Sequence, residues 1–444
     1  MATVTPLMPR VAVVSASVGA GHDGAADELA RRLTGRGCAV DRHDFLGLLP
    51  GRVGPALRRT YELQLKSAPE TWGLVCSALE RHGTTAAAAA MSRLAARRLS
   101  RALATCPAAV VATYPLAAQA LGRLRRRGLL EVPVITYLTD LSVHPLWVAD
   151  GVDAHIALHP VAAAQAMRLG AAAVHLAAPA VGPDFYPPAT ALDRRAGRLS
   201  FGLPAGPLAL IVAGSWGVGE VARTARDVRA TGLALPVVLC GRNEVLRAQI
   251  AAEGAGIALG WVDDMAGLMR ACDIVVQNAG GLSSLEARAT GLPVISYRCL
   301  PGHGTTNAHA LAAAGWAPWV RHPADLPAAL QTALHTALAP RPQAAPHVRS
   351  AGRAAGASPI RAAEPGSWAG VRSGGQPSAR HRYPDAEPAA DLPAGLRLGA
   401  QQFLRREAEP IAPEDPDPAD VIAALTGLAP AGRVVAAGAA GAAG

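Results

Sequence analysis

The stretch 273–307, DIVVQNAGGLSSLEARATGLPVISYRCLPGHGTTN, constrains this chain more than any other. It reads as strand, tight Gly loop, helix, strand, second Gly loop and helix start. Residues 274–277 are a short apolar strand and 278–281 (Asn-Ala-Gly-Gly) a turn. A helix over 282–290 is stopped by Gly291, and a strand over 293–297 follows. Both Gly loops follow the carboxyl ends of strands, the edge at which open α/β sheets bind ligands. Glycine lets the backbone approach a ligand closely, and a helix N-terminus offers free N–H groups and partial positive charge to phosphate. The pattern predicts a phosphate-bearing ligand held by two adjacent loops of a parallel sheet.

The rest of the chain repeats the strand–loop–helix alternation. An apolar strand at 11–16 leads into Ser17-Val18-Gly19-Ala20-Gly21-His22. A helix with Ala25, Leu29 and Leu33 on one face then precedes a strand at 38–44. The loop is not GxGxxG and no ribose-binding acid follows, so a dinucleotide site is not expected. Further strands are read at 108–113, 132–138 and 154–158. The second of these runs into Thr139-Asp140-Leu141-Ser142-Val143-His144-Pro145-Leu146-Trp147, a polar cluster at the same sheet edge as His22. After Pro187-Pro188 a second series begins, with strands at 208–213 and 236–240 and loops at 214–219, 241–243 and 260–265. The expected fold class is α/β with two doubly wound domains, 1–190 and 191–338. From 339 to 444 the chain turns rich in Pro, Gly, Ala, Arg and Ser and is read as a mostly disordered tail, with 420–425 as one short helix.

Composition excludes several classes. No run of about 18 uncharged apolar residues is present, so no membrane span is expected, and no signal segment is read at the start. The six cysteines are scattered without zinc-type spacing and read as reduced core thiols of a cytosolic protein. The +9 net charge favours anionic ligands or an anionic membrane surface. No nucleic-acid module is present. Lys66 is the only lysine, a codon bias pointing to a GC-rich bacterium. The segment 55–79 mixes Arg58, Arg59 and Lys66 with Tyr61, Leu63, Leu65, Trp72 and Leu74. It reads either as a helix pair packed on the first domain or as a membrane-surface and lipid-acceptor element. Arg93, Arg97, Arg98 and Arg101 form a basic helix face nearby.

Four stretches together, VVSASVGAGHDGAA, YLTDLSVHPLW, LGWVDDM and QNAGGLSSLEARATGLPVISYRCLPGHGTTNAHAL, resemble the monogalactosyldiacylglycerol synthase and processive diacylglycerol glycosyltransferase family. More distantly they are similar to the cell-wall N-acetylglucosaminyltransferase that acts on undecaprenyl-linked muramyl peptide. The resemblance covers roughly residues 10–337. It implies a GT-B fold, two Rossmann-like domains facing a cleft, and inverting transfer from a UDP-sugar to a lipid hydroxyl. No cofactor or protein-bound metal is implied. On this resemblance Trp261, Val262 and Met265 hold the uracil, and Glu286 takes the ribose hydroxyls. Ser215, Gly280, Gly281, Ser283 and Ser284 contact the diphosphate, with Asn278 in the same loop, while Gly302, His303, Gly304 and Asn307 lie near the donor sugar. Gly21 and His22 match the acceptor-side loop, and Asp140, His144 and Trp147 match the acceptor-domain motif. Tyr61 and Trp72, from the amphipathic segment 55–79 rather than from the resemblance, are read as further acceptor contacts.

The chemistry fits these residue types. Attack on an anomeric carbon needs a base for the acceptor hydroxyl and stabilisation of a departing diphosphate, which helix-start N–H groups can supply. His22 is the candidate base; Asp140 is either the base or the group that orients His22. Arg242 is expected to add a charge-assisted contact. Alternatives stay open: Ser283-x-x-Glu286 also has capping-box spacing, and Trp147 fits a core position equally well. Two other functions are compatible, transfer to a natural-product aglycone and a non-catalytic UDP-sugar-binding regulator. The expected location is the cytoplasm, peripheral on the inner membrane face, and the sequence sets no oligomeric state. The resemblance also leads one to expect a C-terminal helix returning to the first domain, for which 420–425 is the one candidate.

Overall fold

Two parallel sheets carry the chain. The computed structural model describes residues 8–67, 70–71, 73–74, 78, 86–105, 107–186, 190–338, 360–361 and 415–428. The first sheet contains β1 (Arg10–Ser15), β2 (Ala39–Asp44), β3 (Ala109–Ala112), β4 (Val134–Tyr137), β5 (Ala154–Ala157) and β6 (Ala173–Leu176), with β13 (Ile360–Arg361) at its edge. Its order is β13-β6-β5-β4-β3-β1-β2; β13 pairs antiparallel with β6, and every other pair is parallel. The second sheet contains β7 (Leu208–Val212), β8 (Leu235–Leu239), β9 (Ile257–Leu259), β10 (Ile274–Gln277), β11 (Val294–Tyr297) and β12 (Trp319–Val320). Its order is β12-β11-β10-β7-β8-β9. Two doubly wound sheets facing one cleft are the GT-B arrangement that the resemblance implies.

Burial on both faces explains the continuous apolar strands. Along β1, Val11 and Val13 enter one apolar cluster while Ala12 and Val14 enter another. Along β7, Leu208, Leu210 and Val212 alternate with Ala209 and Ile211 in the same way. The strand at 173–176 is one that the sequence pattern does not announce. Its context, Gly170-Ala-Ala-Ala-Val-His-Leu, is alanine-rich and weak in strand propensity, and only its place beside β5 makes it a strand.

The topology places the site. In the first sheet the order reverses between β1 and β3, and in the second between β7 and β10. These are the switch points at which the crevice beyond the strand ends is open. The segment after β1 holds His22 and the loop after β10 holds Gly280 and Gly281. The second lobe is pinned at the base of β10. Buried Asp273 accepts from Arg194 (2.5 Å), Arg198 (2.7 Å) and the Leu208 amide (2.7 Å), which fastens the helix Ala191–Ser200 to that lobe.

Part of the stretch read as a tail is folded. Residues 415–428 contain a helix, Pro418–Thr426, with Asp417 as its side-chain cap. Ala419, Val421 and Ile422 are buried in the same apolar cluster as Val11 and Val13. Arg32 and Arg36, at the end of the helix Ala20–Thr34 and just beyond it, pair with Asp417, and Arg36 also reaches Asp420. The Ala178 amide donates to Pro416 O at 3.0 Å. This is the short helix expected at 420–425, and it packs on the first lobe; the other residues of 339–444, apart from 360–361, lie outside the described ones.

Candidate active site between the lobes

A cleft of about 440 Å³ runs between the two sheets, and both lobes line it. The Gly loop forms its floor. Gly280 has φ +68°, and a Cβ there would lie 2.8 Å from Asn307 Cβ, so the position rejects any side chain on two counts. The loop is braced by a residue that the sequence pattern marks only as a strand end. Gln277 Oε1 accepts the amides of Ala279, at 2.8 Å, and Gly280, while its Nε2 donates to Ser296 Oγ at 2.6 Å. A polar side chain closing an apolar strand is the one available signal. Asn278 sits below the cleft rather than on its wall. Its Nδ2 donates to Val218 O at 2.8 Å, tying two donor-side loops together.

The helix Leu282–Ala289 starts at Gly281 with no side-chain cap, so the capping-box spacing of Ser283 and Glu286 is not used. Ser283, Ser284 and Glu286 all line the cleft instead. Ser284 Oγ is buried and has no hydrogen-bond partner among the described residues. Burial raises the Glu286 carboxyl to about 7. A carboxyl in such a place is poised to accept hydroxyl donors from a ligand. Ser215, Trp261, Val262 and Met265 complete the donor-side wall. Trp261 is half exposed, and its indole N–H donates to Asp263 at 2.9 Å. Arg242, expected to reach the ligand, stacks over the Trp261 ring at 4.5 Å and is not a wall residue. Gly302 and Gly304 also stand behind the wall. Gly302 caps the helix His303–Ala313, and a Cβ on Gly304 would lie 2.8 Å from Asn278 O. His303 and Asn307, from the same helix, do face the cleft.

His22 lies in the first turn of the helix Ala20–Thr34 and lines the cleft beside Gly21. Its Nδ1 is 3.0 Å from Thr113 O and 2.7 Å from Thr139 Oγ1. A carbonyl oxygen can only accept, so Nδ1 carries the proton and Nε2 keeps the basic lone pair. Nε2 has no partner among the described residues. Thr113 and Thr139 orient the ring. Asp140, one of the groups considered for that task, makes no hydrogen bond to His22 among the described residues. Asp140 lines the cleft and accepts from Trp147 Nε1 at 2.9 Å, with His144 Nε2 at 3.9 Å. Trp147 is fully buried, which corrects its reading as an acceptor contact: it holds Asp140 from beneath. His144 is likewise behind the wall, and burial lowers its pKa to about 4, keeping it neutral. Burial also lowers the pKa of His303.

An apolar patch closes one end of the cleft. Tyr61 and Leu65, one turn apart on the helix Val53–Ser67, pack on Trp216, Val218 and Leu300 of the second lobe. The Tyr61 and Trp216 rings meet edge to face at 5.9 Å. Trp72 lies outside the described residues. Nothing in the sequence pattern singles out Trp216, Thr139 or Gln277, because their roles depend on partners far along the chain or on a strand neighbour.

Comparison with known proteins places this site in context. Residues 22–175 match the family model described as monogalactosyldiacylglycerol (MGDG) synthase. A processive diacylglycerol beta-glucosyltransferase of Bacillus subtilis (strain 168) is 27% identical over 223 residues, 46% of this chain and 54% of that protein. The "Probable monogalactosyldiacylglycerol synthase 2, chloroplastic" of Oryza sativa subsp. japonica is 29% identical over 192 residues, 40% of each chain. The chain thus spans about half the length, or less, of these curated relatives. Among solved structures, Acinetobacter baumannii MurG aligns at 18% identity and a TM-score of 0.45, covering 74% of this chain and 93% of that one. The resemblance read from the four motifs stands: over residues 22–175 the chain matches the monogalactosyldiacylglycerol synthase family model.

Proposed function

We propose that this chain is an inverting glycosyltransferase that moves a hexose from a UDP-sugar to a diacylglycerol-type lipid hydroxyl at a membrane surface. The observation that carries the reading is the opposition across one cleft of a tautomer-fixed imidazole, His22, and a Gly loop, helix start and carboxylate suited to a nucleoside diphosphate. In this mechanism Trp261, Val262 and Met265 hold the base and Glu286 takes the ribose hydroxyls. Ser215, Gly281, Ser283 and Ser284 surround the diphosphate. The acceptor hydroxyl gives its proton to His22 Nε2 as its oxygen attacks the anomeric carbon from the side opposite the diphosphate. The bond from that carbon to the diphosphate oxygen breaks, and N–H groups at the start of Leu282–Ala289 stabilise the charge of the departing UDP. The reading assigns this task to the chain's own amides rather than to a protein-held metal.

Relatives named for diacylglycerol glycosyl transfer support the lipid acceptor, and two surface features support the membrane. Arg93 on the helix Ala86–Ala102 lies beside Arg123, Arg126 and Arg127 at the end of the helix Pro115–Arg126, and desolvation together with their mutual repulsion lowers the Arg123 pKa. Leu63, Leu94 and Leu129 are exposed on the same lobe. Such a mixture suits anionic headgroups, and no helix among the described residues is long and apolar enough to cross a membrane. The test is transfer from a panel of UDP-hexoses to diacylglycerol in mixed micelles, beside a soluble aglycone. Transfer to the lipid upholds the reading; transfer to the aglycone alone rejects its lipid part.

A further inference from the structure

The two lobes are joined by a buried hydrogen-bond chain that passes through the site. Ser142 belongs to the loop after β4, between Asp140 and His144. Its backbone N–H donates to Asn307 Oδ1 of the second lobe at 2.8 Å. Its hydroxyl lies 2.7 Å from the same Oδ1 and 2.9 Å from Thr306 Oγ1. The chain continues inward. Asn307 Nδ2 donates to Ala279 O at 3.0 Å, and the Ala279 amide donates to Gln277 Oε1 at 2.8 Å. Ser142 and Asn307 are 8% and 1% exposed, so water does not stand in for these bonds. A second contact lies alongside. Leu282, the first residue of the donor-side helix, reaches across to Gly21 and Gly24 of the helix that bears His22.

We propose that Ser142 is a positioning residue, a latch through which closure of the lobes sets the shape of the donor-side Gly loop. The geometry explains why. With the lobes together, both ends of the Asn307 amide are occupied, one by each lobe, so the amide cannot turn and Ala279 O is held. Its Cβ meanwhile fills the space that a side chain on Gly280 would need, so a shift of Asn307 and a shift of the loop go together. With the lobes apart, Oδ1 loses both Ser142 donors and the brace on Ala279 loosens. The loop is therefore in shape for the diphosphate when the first lobe, with His22 and Asp140, is in place beside it.

The inference rests on the glycosyltransferase reading only for its kinetic readout. The test compares the full-length protein with Ser142→Ala by amide hydrogen exchange over 277–281 and small-angle scattering, each with and without UDP, and by kinetics with the UDP-hexose that the protein uses. Loss of the hydroxyl bonds is expected to speed exchange in the loop by roughly tenfold and to lower kcat by roughly tenfold. The UDP-bound protein should also be more expanded in scattering, while the donor KM changes less than kcat. Thr306→Ala removes one partner of the same hydroxyl from the other lobe. It should act in the same direction, and its effect should be less than additive with Ser142→Ala. Wild-type exchange and scattering in both variants would overturn the latch. If the wild-type protein transfers no sugar, the functional reading fails, and exchange and scattering still decide on the latch.

Discussion

Glu286 is a carboxyl whose surroundings oppose its charge, and its pKa rises to about 7 by burial. The sign of the consequence is fixed. The folded chain holds this proton more tightly than the unfolded chain, so stability contributed by the neutral form is lost as pH rises from about 4.5 to about 7. Glu286→Gln cannot lose its proton. Its melting temperature should exceed that of the wild type above pH 7 and converge with it near pH 4.5, which a pH series of thermal melts checks. UDP affinity should move the other way, rising in the wild type as the carboxylate forms and falling roughly ten- to a hundredfold in Glu286→Gln, the range for hydrogen bonds to a charged group. At His22 the ring is held by one carbonyl and one hydroxyl. Thr139→Val should therefore reduce kcat by roughly three- to tenfold, the worth of one such bond, and leave UDP binding by calorimetry unchanged. Residue types were legible where chemistry restricts them, as at His22, Asp140 and Glu286. Thr113, Thr139 and Gln277 were not, since a carbonyl oxygen, a threonine and a strand-end glutamine acquire their roles only from what the fold sets beside them.

At the scale of elements, the Gly loop and the helix after it were legible because turn chemistry is local. Gly280 takes φ +68°, and the loop, the start of Leu282–Ala289 and β10–β11 follow the expected spans closely. Gly280→Ala should weaken UDP binding by more than tenfold, since a methyl 2.8 Å from Asn307 Cβ forces the loop to shift and positive φ adds strain of about 1 kcal/mol or more. Isothermal titration with UDP measures this, and unchanged affinity would show that the loop does not hold the diphosphate. Strand β6 escapes sequence reading for a physical reason, while the helix at 418–426 shows only as the short stretch 420–425. Strand β6 and the helix Pro418–Thr426 are alanine-rich and brief, so their stability comes from neighbours rather than from their own pattern. The buried Ile422 makes the second case testable. Ile422→Ala should cost roughly 2–5 kcal/mol in denaturant unfolding, as for other large-to-small changes in a packed core. A cost near zero would mean that the helix does not brace the first lobe.

For the whole molecule, two sheets with opposed switch points create one cleft, and hydrogen bonds and apolar contacts from both lobes converge on it. The architecture was legible from alternation of strand, loop and helix. The contacts between lobes were not, because nothing in a linear pattern says which loop of one half meets which loop of the other. The basic patch around Arg93 and Arg123 adds a property of the entire surface. Replacing Arg93, Arg123, Arg126 and Arg127 by Gln should release the protein from vesicles containing anionic lipid in a sedimentation assay, at about 1 kcal/mol per charge, and leave UDP affinity untouched. The central claim is that an imidazole on one lobe and a diphosphate site on the other act on a single sugar. The most direct measurement is transfer from radiolabelled UDP-hexoses to diacylglycerol in mixed micelles by wild-type protein and by His22→Ala, with the anomeric configuration of the product read by NMR. The account requires a glycolipid of configuration opposite to the donor's, a loss of at least about a hundredfold in kcat for His22→Ala, and UDP affinity equal in the two proteins. Retained configuration, or wild-type turnover without the imidazole, would contradict it.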